Sequence, residues 1–521
     1  MALQTDTQTE ATQTGANGAP GAQETFDVQN PATGETITSL PVDGPDRVKE
    51  VVARVRAAQS EWEALGNKGR AKWLGQLRDW LFDNQDEISD TMQAETGKVR
   101  GEAGGEAVYL TDIINFYGKK AKKYIGEEKV AAHSPAMKVK RLRVQYRPYP
   151  VVGVISPWNF PLMLSLGDGL PALQAGAAVV LKPSEITPLS LGMVVDAWKN
   201  EIGGPDVLDV VNGLGECGSA LVDEVDFIQF TGSDVTGKKV MARAADTLTP
   251  VSLELGGKDP MIVLEGADLE RAANAATWGA FGNTGQICMS VERLYVQEQV
   301  YDEFLKRFVE ATGELKQGMD GREYGSDIGA MTFPKQMDKV EEHVREAREK
   351  GATVLTGGER VDGPGDWYPP TILTDVDHQM KVMRDETFGP VVGVMKVRDA
   401  DDAVRHANDS RYGLSGSVFG KTREAEATAR RLEAGAINVN DVLVNYLASD
   451  VPMGGWKESG IGFRHGEYGI KKFVRPESLV ITRLGGKREL LYFPYTEKRR
   501  GTLRKAAQLL NARGLRNRLK R

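Results

Sequence analysis

Four short, largely apolar runs at 151–155, 177–181, 207–211 and 227–230, each closed by a polar string bearing glycine or proline, restrict this chain more than any other feature. Runs of this length without polar alternation suit strands buried on both faces. The closing strings are Ser156-Pro-Trp-Asn-Phe-Pro161, Lys182-Pro-Ser-Glu185, Asn212-Gly-Leu-Gly-Glu-Cys-Gly218 and Thr231-Gly-Ser233. Read as strand-turn-helix units, they build a doubly wound parallel α/β sheet. Such sheets take ligands at the carboxyl ends of their strands, where all four strings lie.

A further run, Val251-Ser-Leu-Glu254, reads as a strand that stops in Leu-Gly-Gly-Lys258 and leaves a carboxylate at its end, facing a cleft. A helical stretch then closes in Gly282-Asn-Thr-Gly-Gln-Ile-Cys288, a polar loop that presents one cysteine. The α/β alternation resumes beyond it, with strands at 293–297 and 353–355, helices at 300–312, 334–351 and 399–408, and the string Gly413-Leu-Ser-Gly-Ser-Val-Phe419. Upstream, 26–40 alternates around an Asn-Pro-Ala-Thr-Gly turn as a hairpin, and helical spacing runs over 46–65, 70–95 and 102–117. Residues 139–149 alternate basic and apolar side chains, which suits a two-sided strand outside the main core.

With 521 residues, 40% of them hydrophobic and 27% charged, the chain has the balance of a soluble globular protein of two or three domains. Cys217 and Cys288 are its only cysteines, which excludes a disulfide framework and favours a reducing cytoplasm. Residues 1–25 lack a basic start, an apolar stretch and a cleavage pattern, so they read as a disordered lead rather than a signal peptide. No apolar run is long enough for a membrane span. The net charge of −7 conceals a basic tail, in which residues 487–521 carry twelve Lys or Arg against Glu489 and Glu497. Neither an HExxH nor a G-x-S-x-G string is present, which argues against metalloprotease and serine hydrolase chemistry; no metal and no nucleic-acid partner is expected.

A thiolate is a far better nucleophile than a hydroxyl near neutral pH, and hydrolysis of an acyl-cysteine needs a carboxylate able to activate water. Cys288 and Glu254 together therefore point to covalent catalysis followed by deacylation. Singly, each has an ordinary reading, the cysteine as a small buried hydrophobe and the glutamate as a solvated charge. Their company decides between the two. The strings Leu253-Glu-Leu-Gly-Gly-Lys258 and Gly285-Gln-Ile-Cys288, in this order and at this separation, resemble the aldehyde dehydrogenase superfamily, and matching strings extend from residue 26 to residue 473.

That resemblance implies a Rossmann-like cofactor-binding domain (26–138 and 150–255), an α/β catalytic domain (256–455) and a small β oligomerisation domain of bridging strands (139–149 and 472–490, the late strand at 479–483). A basic tail (491–521) follows. It implies NAD-dependent oxidation of an aldehyde to a carboxylic acid: Cys288 forms a thiohemiacetal and then a thioester, the Asn159 amide holds the oxyanion, and Glu254 activates the water. For the cofactor it implies Lys182 and Glu185 at the adenosine ribose and Thr231, Gly232 and Ser233 near the pyrophosphate. Trp158, Gly215 and Leu255 would complete that site, with Glu386 at the nicotinamide ribose and Phe388 against the nicotinamide ring. A carboxylate at Glu185 would repel a 2′-phosphate, so NAD is expected rather than NADP. The literal Gly213-x-Gly215-x-x-Gly218 resembles a dinucleotide fingerprint, yet its acidic ribose partner should lie downstream, whereas Lys182 and Glu185 lie upstream. Pro452-Met-Gly-Gly-Trp-Lys-Glu-Ser-Gly460 is similar to a late signature of the same family.

Two rivals stand beside this reading. One is an acylating enzyme that passes the thioester to coenzyme A, a branch that often lacks the base at Glu254; the other is a non-catalytic binding or structural protein of the same fold. A homodimer or homotetramer is expected. The string at 285–293 is similar to enzymes acting on succinate semialdehyde and aromatic aldehydes, which leaves the aldehyde itself open. Residues 491–498 resemble the C-terminal segment of enzymes for fatty and aromatic aldehydes, and 502–519 reads as a basic amphipathic helix. Such a helix suits peripheral contact with an anionic membrane, or a solvated or subunit-packing role.

Overall fold

The computed structural model describes residues 24–134, 137–483, 485, 487–489, 491–512 and 514. The expected lead at 1–25 lies outside the described residues as far as residue 23, and Thr25 opens the strand Thr25–Gln29 of the expected hairpin, paired with Thr36–Pro41. The chain divides into two compact units, Met1–Ile125 with Pro148–Arg475, and Gly126–Arg147 with Pro476–Arg521.

The larger unit holds two extended sheets. The first runs in the order Gly460–Ile461, Val251–Glu254, Phe227–Thr231, Val151–Ile155, Ala178–Lys182, Leu208–Val210. Its neighbours are parallel except for Gly460–Ile461, which lies antiparallel to Val251–Glu254. Every residue of Ala178–Lys182 and Phe227–Thr231 is buried, because the intervening helices cover both faces. The strand order reverses between Val151–Ile155 and Phe227–Thr231, which opens a crevice at their carboxyl ends. The second sheet runs Thr353–Thr356, Thr371–Thr374, Val391–Val397, Val291–Gln297, Asp259–Val263, Ser415–Phe419, Ala436–Val439, parallel apart from its first strand. The architecture is thus the expected α/β one with parallel, Rossmann-like sheets.

The segment 70–95 is two helices, Gly66–Asp83 and Gln85–Thr96, rather than one. Asn84 breaks the run at φ −112° and ψ 21°, and its Nδ2 donates to the Trp80 carbonyl at 2.9 Å. A short amide side chain competes for backbone partners, which is why such residues favour helix ends.

The smaller unit opens at Gly126, earlier than the expected boundary at 139, and so takes in the strand Glu128–Val130. That strand is an edge of a three-stranded sheet ordered Val474–Thr482, Lys140–Pro148, Glu128–Val130. The late strand begins at Val474, not 479, and most of its residues are exposed. A helix at Glu497–Asn511 starts before the expected 502, capped by Thr496, whose hydroxyl accepts from the Arg499 N–H; none of its residues is buried. The rest of the expected helix, at 513 and 515–519, lies outside the described residues. Among the described residues no helix is long and apolar enough to cross a membrane.

Candidate active site

Backbone geometry places Cys288. The helix Leu269–Phe281 ends in a loop where Asn283 (φ 49°), Thr284 (φ 55°) and Gly285 (φ 70°) are all left-handed. A Cβ on Gly285 would lie 2.1 Å from the Gly389 carbonyl oxygen, so the chain passes here only as glycine. Gln286 pins the loop: its Nε2 donates to the Asn283 carbonyl and its Oε1 accepts from the Thr332 N–H, each at 2.9 Å. The buried loop then emerges at Ile287 and Cys288, which keep some solvent access.

Asn159 meets this loop directly. Its Nδ2 donates to the Gln286 carbonyl at 2.8 Å, two residues before the cysteine, which leaves its second amide hydrogen for another acceptor. The turn that carries it is held by a buried ion pair. Lys98 Nζ donates to Glu106 Oε1 at 2.7 Å and to the Asn159 carbonyl at 2.9 Å, and Glu106 Oε2 accepts from the N–H groups of Leu162 and Met163. Trp158, beside it, packs edge-to-face on Phe388 with ring centroids 5.4 Å apart.

Glu254 ends its strand opposite Thr231 on one side and Gly460 on the other. It is 2% exposed, and among the described residues neither carboxylate oxygen has a hydrogen-bond partner. Burial pushes its carboxyl up to about 7, against the pull of Arg464 and Lys472. The glycines after it bring three groups together. A Cβ on Gly257 would lie 2.4 Å from the Cys288 carbonyl oxygen, and the Gly257 N–H donates to Glu386 Oε1 at 3.1 Å. Burial likewise raises Glu386 to about 7. Burial pushes the Cys288 thiol up to about 12; Arg464 opposes this, and Asp259, Glu254 and Glu386 reinforce it. Cys217 is fully buried, its thiol also raised, to about 11, by desolvation.

The remaining expected residues, Phe388 apart, lie along the first sheet's carboxyl edge. Lys182 ends its strand and donates to the Pro183 carbonyl at 3.0 Å, and Glu185 follows it, half-buried. Thr231 ends the neighbouring strand, the Gly232 N–H donates to the Glu254 carbonyl at 3.1 Å, and Ser233 caps the helix Asp234–Ala244. Leu255 is buried against Gly237 of that helix. Of the G-x-G-x-x-G string, Gly213 packs on Cys217 and Gly218 on the Lys182 side chain, while Gly215 opens the helix Gly215–Glu224 with free space at its Cα. Phe388 has φ 55°, and the N–H groups of Thr387 and Phe388 donate to the buried Glu292, which pairs with Lys258.

The aldehyde dehydrogenase family model matches residues 19–479. The chain belongs to the aldehyde dehydrogenase family. It is an aldehyde-oxidising oxidoreductase. A Mycolicibacterium smegmatis protein named as an NADP(+) succinate-semialdehyde dehydrogenase is 39% identical over 468 residues, 89% of this chain and 90% of its own. A Methylomonas 4,4'-diapolycopene aldehyde oxidase is 40% identical over 475 residues, 90% of this chain and 88% of its own. The solved structure of an NAD-dependent aldehyde dehydrogenase from Sinorhizobium meliloti matches with a TM-score of 0.85 at 32% identity, covering 89% of this chain and 93% of that one.

Sequence reasoning missed the buried charges that brace this aldehyde dehydrogenase site: Lys98 with Glu106, Lys258 with Glu292, and Arg464 with Asp168 and Lys472. A charge set inside an apolar or glycine-rich stretch was the available signal, as at Asp168 within Leu164-Ser-Leu-Gly-Asp-Gly-Leu170.

Proposed function

We propose that this aldehyde dehydrogenase oxidises its substrate to a carboxylic acid through an acyl-enzyme on Cys288, hydrolysed with Glu254 as general base. The observation that carries the reading is the Gly256–Gly257 turn, which ties the Glu254 strand end to the Cys288 carbonyl while Asn159 hydrogen-bonds the same loop. In this reading the Cys288 thiol gives its proton to solvent and Sγ, as the thiolate, adds to the aldehyde carbon. The oxygen gains a negative charge that the spare Asn159 N–H and the Cys288 backbone N–H receive. Preorganised donors of this kind are worth about 3 kcal/mol of barrier each. A bound nicotinamide dinucleotide would supply the hydride acceptor, so that loss of hydride from the thiohemiacetal carbon would leave a thioester on Cys288. Glu254 then removes a proton from water, the hydroxide attacks the thioester carbonyl, and the acid leaves as the thiol is restored. A carboxyl near 7 is matched to that task at neutral pH.

The residues fit a dinucleotide. The helix Asp234–Ala244 offers its N-terminus and dipole to a pyrophosphate beside Gly232 and Ser233. Lys182 uses one of its three donors on Pro183 and keeps two for a ribose. Trp158, Gly215, Leu255, Glu386 and Phe388 are assigned to the same cofactor. In this reading Glu185 would set a carboxylate against a 2′-phosphate, which favours NAD, although the Mycolicibacterium relative is named for NADP(+). The test is kcat/KM with each dinucleotide. NAD is expected to be favoured and Glu185→Gln to narrow the gap; a wild-type preference for NADP would reverse the assignment.

Hydrolysis is favoured over transfer to coenzyme A because Glu254 is present, and adding coenzyme A should yield no acyl-CoA. We further read the two free cysteines as fitting a reducing cytoplasm. The exposed Tyr492, Phe493 and Tyr495 ahead of a basic helix fit an anionic membrane surface. Cosedimentation with anionic vesicles should be lost on deleting residues 501–521, and unchanged binding would remove that contact.

A further inference from the structure

Three charged side chains act electrostatically on Glu254 in the interior: Asp168 of the helix Met163–Ala175, Arg464, and Lys472 at the end of the helix Gly466–Lys471. Arg464 is 3% exposed. Its Nε donates to Asp168 Oδ2 at 2.9 Å, and its Nη2 lies 2.8 Å from the same oxygen and also donates to Thr231 Oγ1. Lys472 Nζ donates to Asp168 Oδ1 at 3.0 Å and to Gln229 Oε1 at 2.7 Å. Arg464 Nη1, with no hydrogen-bond partner among the described residues, lies 3.7 Å from Glu254 Oε2.

Two cations therefore share one committed carboxylate, Asp168. A protonated Glu254 leaves the buried group with a net positive charge, whereas an ionised Glu254 makes it neutral. Uncompensated buried charge is costly, so the cluster works against the desolvation that favours the acid form. A donor without an acceptor stands beside an acceptor without a donor, a small side-chain movement from a charge-assisted hydrogen bond.

We propose that Arg464 is a positioning residue for deacylation, holding Glu254 ionised and turning one of its oxygens toward the guanidinium so that the other faces water. The proposal rests on the reading of Glu254 as the base. The charged or titratable groups that face Glu254 are Arg464, Lys472, Asp168 and the Cys288 thiol, while Gln229 and Thr231 on the adjacent strand are neutral. Asp168, equally buried but doubly paired, is held below the usual carboxylate range, and Glu254 stops at about 7.

The test is steady-state kcat against pH for wild type, Arg464→Gln and Arg464→Lys, with the first-turnover burst of reduced cofactor measured alongside. Arg464→Gln should keep the burst while the acid limb of kcat moves up by about one pH unit or more, and Arg464→Lys should restore most of the limb. An unmoved limb, or a loss of kcat by the same factor at every pH, overturns the proposal. If Arg464→Gln does not fold, Lys472→Gln should move the limb in the same direction, and no shift there overturns it equally. Glu254→Gln separates the two ideas. A Glu254→Gln enzyme with normal kcat defeats the base itself, whereas one that stalls after its burst, beside an unmoved Arg464→Gln limb, defeats only the role of Arg464.

Discussion

Cys288 keeps some solvent access, while desolvation, reinforced by three nearby carboxyls, pushes its thiol up to about 12. Alkylation by iodoacetamide should therefore be slow at pH 7 and climb about tenfold per pH unit through pH 9. A plateau below pH 8 would mean a thiolate is already formed. Asn159→Ala should lower kcat by about 10²–10³ while leaving the cofactor KM unchanged, because the amide bonds the Cys288 loop and is assigned to the oxyanion rather than to the cofactor. Equal losses in both parameters would place Asn159 in binding instead. These two residues and Glu254 were singled out because the strings around them resemble those of the family; read alone, each had an ordinary structural explanation. Arg464 was not singled out. Its partner Asp168 lies 296 positions away in the chain, and no local pattern announces such a pair.

The elements near the site leave little slack, and glycines take the strain. Gly257→Ala would drive a methyl group into the Cys288 carbonyl, a backbone atom with little freedom to yield. Turnover should fall by about 10²-fold with small effect on cofactor affinity, as expected for a displacement of about 1 Å at the nucleophile. Near-normal kcat in that variant would show that the loop tolerates movement. Lys98→Met leaves Glu106 buried and unpaired at the turn carrying Asn159, and chemical denaturation should show a loss of about 3–5 kcal/mol. The five parallel strands of the first sheet could be read because each was closed by a turn string, whereas Gly460–Ile461 was not read as a strand. Asp259–Val263, Thr371–Thr374, Val391–Val397 and Ala436–Val439 escaped notice, since short apolar runs do not by their periodicity distinguish strand from buried helix. The break at Asn84 was hidden for a related reason: apolar spacing continues across it, and only the backbone partner of its amide marks the helix end.

At the scale of the whole molecule, the strand Val474–Thr482 is an edge with Val480 and Ile481 exposed, an open template for a second copy of the chain. Sedimentation should report a dimer or tetramer, and Ile481→Lys should weaken it. A wild-type monomer would leave that edge without a partner. The central claim is the covalent acyl group, and intact-protein mass spectrometry tests it most directly. Glu254→Gln enzyme mixed with NAD and a reactive aldehyde should gain the mass of one acyl group, located on Cys288 by peptide mapping. An unmodified chain after a full equivalent of reduced cofactor has formed would contradict the account.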